Sequence, residues 1–278
     1  MRLGGPVLEE YENPEQWVAA LRRLGYRAAY CPVDEAQPDD VVHAYAAAAA
    51  EADIVIAEVG AWSNPLGPDE DSRRAALSLC QRRLALADAI GARCCVNITG
   101  SRSERWDGPH PDNLTPDTFA LIVDTVRAIV DAVRPTRTFY VLETMPWMYP
   151  DSPESYLELI RAINRPRVAV HLDPVNLVCS PQRFYANGAL IRACFDMLGP
   201  LIKSCHAKDI ALDGRLTVHL DEVRPGAGLL DYRILLRHLG TLHPDTPLML
   251  EHLATPEEYA AGAAYIRSVA RETGVSFL

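Results

Sequence analysis

The sequence predicts one (β/α)8 barrel, a TIM barrel, over residues 1–278, with its active site at the C-terminal ends of the strands. Three observations lead there. Strand-like runs alternate with helical stretches eight times, the pattern of parallel strands joined by crossover helices. The fifth to eighth runs each end in a residue suited to ligand binding: FYVLE at Glu143, VAVHLD at Asp173, LIKSCH at His206 and LMLE at Glu251. The length, 278 residues, suits a fold that takes about 250. An open doubly wound sheet is the rival, but it meets ligands at one crevice, whereas these residues end four consecutive strands.

The elements follow in order. A short strand at 2–5 precedes a helix at 14–24, with Asn13 as N-cap and Pro14 in the first helical position. A second strand (26–33) and helix (38–52) follow; the alanines at 46–50 are the best helix formers. The third strand, 53–60, is the near-continuous apolar kind of a parallel sheet. Its helix, 69–90, stops at Gly91. Strand four is 93–99, and a longer loop covers 100–113. Thr115 and Pro116 open a helix to 133, and strand five ends at Glu143. Helix five (152–163) leads to strand six, where Pro174 stops the chain directly after Asp173. Helix six is placed at 189–198, and strand seven ends near His206. Residues 207–227 read as irregular, with a small hairpin around Asp213 and Gly214. Helix seven (232–239), strand eight ending at Glu251, and a last helix (256–273) complete the chain.

Composition narrows the partners. Lys and Arg number 27 against 37 Asp and Glu, a net charge of −10. Nucleic-acid affinity is mostly phosphate neutralisation, so an acidic chain without a basic stripe is expected to have no nucleic-acid partner. Seven cysteines, an odd count with no CxxC, are expected to be reduced core or near-core thiols in a cytoplasmic protein. Adjacent Cys94 and Cys95 should point to opposite faces of one strand. The first residues lack the apolar region of a signal peptide, and no apolar run nears the roughly 18 residues of a membrane helix.

Glu143, Asp173, His206 and Glu251, each closing a different strand, would converge on one half of a barrel rim. Any one such acid is more often a helix N-cap or a loop ion pair; four in matched positions point to a divalent metal. Oxygen donors with one imidazole suit Mn²⁺, Co²⁺ or Mg²⁺, with Zn²⁺ a further candidate. Lys208 shares the strand face of His206 and is a candidate for a substrate oxygen or a plain salt bridge. Asp209 reads as a turn cap. Trp62 and Trp147, after strands three and five, are candidate sugar-stacking platforms or loop anchors. Asn97, at the end of strand four, is a candidate hydroxyl ligand or a turn stabiliser. Arg102 and Arg105, in the long loop after strand four, read first as surface charge and second as candidates to meet an anionic group, and His252 reads as packing that faces away from Glu251. His171 should lie deeper in the barrel beneath Asp173.

The segments LE at 142–143, HLDPVN at 171–176, CHAKD at 205–209, PGAG at 225–228 and LE at 250–251 resemble the sugar phosphate isomerase/epimerase family. That family lies in the xylose-isomerase-like TIM barrel superfamily, with ketose 3-epimerases, inosose dehydratases and endonuclease IV. The resemblance covers nearly the whole chain and is strongest from Glu143 to Glu251. It implies one Mn²⁺ or Co²⁺ held by Glu143, Asp173, His206 and Glu251, with the two glutamates also transferring protons next to a carbonyl through a metal-stabilised enediolate. The expected activity is isomerisation or epimerisation of a sugar or keto-sugar. A dehydratase-type lyase acting on a polyhydroxy ketone is the alternative, and a non-catalytic sugar-binding barrel a weaker one. The ketose 3-epimerases carry a further glutamate soon after the first; here no acid follows until Asp151. Where they place a histidine after the metal aspartate, this chain has Asn176, expected in that polar role. Arg224 resembles a substrate-contacting arginine of the family. Endonuclease IV needs more strand-end histidines than this chain offers. Family members often form homodimers, so a dimer is expected by the same resemblance.

Overall fold

A computed structural model describes all 278 residues. The chain runs β1 (Arg2–Gly5), α1 (Pro14–Leu24), β2 (Ala28–Tyr30), α2 (Asp39–Glu51), β3 (Val55–Gly60), α3 (Glu70–Ile90) and β4 (Cys94–Asn97). It continues α4 (Pro116–Val133), β5 (Phe139–Glu143), α5 (Pro153–Ile163), β6 (Val168–Leu172), α6 (Pro181–Tyr185), α7 (Asn187–Leu198) and β7 (Ile202–Ala207). The hairpin β8 (Asp209–Asp213) and β9 (His219–Val223) precedes α8 (Tyr232–Leu239), β10 (Pro247–Leu250) and α9 (Pro256–Thr273). Eight strands close in the order β1-β10-β7-β6-β5-β4-β3-β2, giving the (β/α)8 barrel expected from the alternation. The pairs are parallel, and β1 closes the ring by pairing with both β2 and β10.

Local chemistry starts and stops the helices where the sequence asks for it. Asn13, Thr115, Ser152 and Thr255 each accept a backbone N–H as N-cap, and each is followed by proline in the first turn. Gly25, Gly91 and Gly274 end α1, α3 and α9 in the left-handed region, where a Cβ would be strained. Three boundaries differ from the expectation. The second strand shrinks to 28–30, because Tyr26 turns back into the core and its N–H bonds to Leu21 O. The seventh helix begins at Asn187, and a short helix capped by Ser180 precedes it. The 207–227 region is more regular than expected: its hairpin pairs Asp209 with Val223 through Asp213 with His219.

The main core, a cluster of 60 buried residues, lies between barrel and helices. Inside the barrel the lower levels are filled by small apolar groups, Cys94, Val96, Val141 and Ala169 in one cluster and Ala28, Ala57 and Met249 in another. Cys94 packs inside and Cys95 outside, as strand alternation requires. All seven cysteines are free, but Cys179 is exposed in the loop before α6, contrary to the expectation that every thiol would lie in or near the core. No helix is long and apolar enough to cross a membrane. The apolar filling ends toward the strand C-termini, and the inward residues there are ionisable.

Candidate metal centre and active site

β5, β6, β7 and β10 are consecutive in the barrel, so their C-terminal residues share one side of its mouth. Donor atoms of Glu143, Asp173, His206 and Glu251 all lie within 4.8 Å of one another. His206 Nδ1 is the hub, 2.6 Å from Glu251 Oε1, 3.1 Å from Glu143 Oε1 and 3.8 Å from Asp173 Oδ2. Asp173 is held by its own turn: once Pro174 breaks the strand, Val175 and Asn176 donate their N–H groups to Asp173 Oδ1 at 2.9 and 3.3 Å. Its other oxygen is thereby left facing the cluster. Thr144 Oγ1 bonds the backbone of Asp173 at 2.7 Å and fixes the ends of β5 and β6 together. Asn176 Nδ2 donates to Glu143 Oε1 at 3.2 Å.

Lys208, 3% exposed, brings its ammonium into the same cluster, 2.6 Å from Glu251 Oε1 and 2.8 Å from Asp173 Oδ2. Those two oxygens are buried, and their close partners are the Lys208 ammonium and the His206 ring. The Lys208 contacts are ion pairs at close range, and no backbone N–H or hydroxyl donates to either oxygen. Three carboxylates and an imidazole with two such oxygens form a donor set that fits a hard or borderline divalent cation.

The charges set one another's protonation. Burial alone would raise the Glu251 carboxyl, but His206 and Lys208 overcome it and pull it down to about 2. Asp173 behaves alike: burial opposes ionisation, and Lys208 and His206 hold it well below the usual carboxylate range. Burial would lower His206, yet Glu251, Glu58 and Glu143 hold it well above 6.5. Lys208 is likewise raised above 10.5 against burial by Asp173, Glu143, Glu251 and Glu222.

Above the cluster opens a cavity of about 700 Å³. Trp62 and Trp147 line it, as do Asn176 and Lys208. Two expected residues do not reach it. Asn97 is fully buried; its amide bonds Ser63 on both backbone atoms, at 3.2 and 3.3 Å, so it braces the turn after β3. Arg224 turns away and donates to Pro225 O at 3.0 Å. His252 corrects the packing expectation: with φ at 55° it swings to the cavity wall, its side chain 62% exposed, and Nδ1 lies 3.2 Å from Glu222 Oε1. Asp209 accepts the N–H groups of Ile210, Gly226, Gly228 and Leu230, holding the loop after the hairpin.

Several site residues escaped the sequence reading. Trp106 reaches the cavity from the long loop after β4, beside the Arg105 already named as a candidate there, and Glu222 reaches it from the hairpin. Nothing in their spacing marks them. Glu58 is different: it is the one acid within the otherwise apolar run at 54–60, and a charged residue on a buried strand is itself a signal. It is 1% exposed, and it accepts hydrogen bonds from His171 Nε2 at 3.0 Å, His206 Nε2 at 3.3 Å and the Ser204 hydroxyl. Burial would raise its carboxyl; His171 and His206 outweigh that and hold it below the usual range.

An eight-stranded parallel barrel with ionisable side chains gathered at its C-terminal mouth is a TIM barrel in the arrangement common to enzymes of that fold. The sequence profile of the xylose isomerase-like TIM barrel matches residues 18–269, and the chain belongs to that family. No curated protein sequence matches it. Among solved structures it is similar to endonuclease IV from Thermus thermophilus, with TM-score 0.74 and 16% identity over 98% of this chain and 100% of that one. It is similar to D-psicose 3-epimerase from Clostridium cellulolyticum, solved with D-tagatose, at TM-score 0.71 and 14% identity over 99% and 100% of the two chains. The probable 3-DHS dehydratase from Bacillus anthracis gives TM-score 0.71 and 14% identity over 97% and 99%. At these identities the likeness is one of fold.

Proposed function

We propose that the protein is a divalent-metal-dependent isomerase or epimerase of a sugar or keto-sugar, working by proton abstraction next to a carbonyl. The observation that carries this reading is the cluster of Glu143, Asp173, His206 and Glu251 within 4.8 Å beneath an open cavity. These four residues would hold the ion, with Mn²⁺ or Co²⁺ first and Mg²⁺ or Zn²⁺ as further candidates. A bound divalent cation supplies Lewis-acid stabilisation of the charge that develops when a proton leaves a carbon beside a carbonyl. The chain supplies the rest. Glu143 ends β5 and Glu251 directly follows β10, with β6 and β7 between those strands, and each offers a carboxylate to take or return a proton. Asn176 and Lys208 orient substrate oxygens, and Trp62 and Trp147 offer flat apolar faces to a sugar ring.

A second reading is a lyase that expels a hydroxyl β to the carbonyl. The Lys208 ammonium, 2.6 Å from Glu251, favours it, because a departing hydroxide needs a proton donor. The known proteins of similar fold include both an epimerase and a probable dehydratase.

Chelator-stripped protein tests the shared premise. A ligand that binds only the folded state raises stability by mass action. Thermal stability should rise with Mn²⁺ or Co²⁺, and the rise should shrink in Asp173→Ala and Glu251→Ala. No rise at millimolar metal would remove the reading. With keto-sugar substrates, an isomeric product supports the epimerase and a product lighter by one water supports the lyase.

A further inference from the structure

We propose that Glu58 is the positioning residue of the centre: by accepting the Nε2 proton of His206, it leaves Nδ1 as the electron-pair donor facing Glu143, Asp173 and Glu251. The inference rests on the metal-dependent reading above and adds a residue to it from the opposite part of the barrel.

The geometry has two sides. On one, His206 Nδ1 lies among the three cluster carboxylates, between 2.6 and 3.8 Å from their oxygens. On the other, His206 Nε2 lies 3.3 Å from Glu58 Oε2. A neutral imidazole has one N–H and one lone pair, so the partner of one nitrogen decides what the other can do. A carboxylate only accepts; it therefore places the proton on Nε2. Glu58 is itself fixed, since Oε1 accepts from His171 Nε2 at 3.0 Å and from the Ser204 hydroxyl. His171 and His206 stack edge to face with centroids 4.1 Å apart, which keeps both rings from turning.

Glu58, His171 and His206 also have donor atoms close enough to hold an ion of their own. That alternative conflicts with the first cluster. His206 would have to give a lone pair from each nitrogen at once, which a neutral imidazole cannot do. The Glu58 group is thus assigned as a support for one metal position and not as a second one.

Glu58→Gln gives a sharp test, because its shape is kept while an NH₂ replaces one acceptor oxygen. With the amide oxygen drawn to His171 and Ser204, the NH₂ faces His206 Nε2 and forces the proton to the wrong nitrogen. Metal affinity should fall by roughly 10- to 100-fold, the range seen when such outer partners are removed. Glu58→Asp, which keeps the acceptor, should lose less. Ser204→Ala, which removes one of the donors that fix Glu58 but leaves the acceptor facing His206, should lose less than Glu58→Gln.

A readout independent of metal comes from ¹⁵N-histidine NMR of the stripped protein. Wild type should show a His206 Nε2–H signal protected from exchange by its bond to Glu58, and in Glu58→Gln, where an amide donor replaces that acceptor, the protection should be lost while the native fold is kept by circular dichroism. Wild-type affinity in Glu58→Gln, an unprotected His206 Nε2–H in wild type, or two metal ions per chain would each overturn the assignment. If wild-type protein binds no metal at all, the function proposed above fails, and the NMR comparison still decides the role of Glu58.

Discussion

Lys208 is the residue on which the resting state of the site turns. Its ammonium lies within 4 Å of the Glu143, Asp173, Glu222 and Glu251 carboxylates, where a cation is needed to offset their repulsion. Replacing it with methionine leaves buried charges uncompensated, which costs about 3–5 kcal/mol when one partner of a buried pair is removed. We expect Lys208→Met to unfold at lower temperature without metal, and to recover most of the loss on adding Mn²⁺, with tighter metal binding than wild type. Paired thermal scans measure both effects. The pH dependence follows from the same charges. Glu251 sits at about 2 in the folded protein against an ordinary 4.5, so its stabilisation is complete above 4.5 and disappears as pH falls toward 2. Asp173 acts in the same direction. His206 and Lys208 are raised, so their contributions are complete below 6.5 and 10.5 and are lost as pH climbs through the raised values. Metal-free stability should therefore decline from about pH 4.5 downward, measured by urea titration across pH. Metal affinity should increase with pH, because the Nδ1 proton of His206 must leave before that nitrogen can donate.

Among the elements, the β8–β9 hairpin and the loop behind it shape the cavity mouth, since Glu222 reaches Lys208 and His252 from β9. One carboxylate anchors them. Asp209 gathers four backbone N–H groups, three of them from residues 226–230. Gly228 passes so close to Ile210 O that no Cβ fits there. Asp209→Ala would orphan several of these donors at a cost of about 3 kcal/mol. We expect faster amide exchange confined to residues 210–230 and a lower unfolding temperature. If exchange there is unchanged, the loop is held by other contacts.

For the molecule as a whole, the placement of tryptophan offers a direct probe. Of four tryptophans, Trp17 is buried against Tyr45, while Trp62, Trp106 and Trp147 line the cavity. A polyol or sugar entering that cavity should change the intrinsic fluorescence. The change should diminish in Trp62→Phe, Trp106→Phe and Trp147→Phe, and Trp17→Phe should leave it in place. A saturable ligand effect untouched by the first three variants would put the binding site elsewhere.

The alternation of apolar strands and capped helices, and the four strand-end residues, were written in the sequence because they depend on neighbours along the chain. Asn13, Thr115, Ser152 and Thr255 cap helices within three residues of themselves, and Pro174 stops β6 directly after Asp173. Once eight parallel strands close, adjacent strand ends must meet, so the grouping of Glu143, Asp173, His206 and Glu251 follows from the order of the chain. What closure across the barrel decides could not be read this way. Glu58 meets His206 across 148 positions of sequence, and no local pattern encodes that pairing. Two other candidates went the same way: Asn97 at the end of β4 and Arg224 in the loop after β9 look like ligands by position, but Asn97 braces the turn after β3 and Arg224 donates to a backbone carbonyl. Trp106, Glu222 and His252 reach the cavity only because the long loop, the hairpin and a left-handed residue fold over the mouth. The physical division is one of range: capping, strand breaking and alternation act within a few residues, whereas the partners of a buried charge are chosen by packing through the whole barrel.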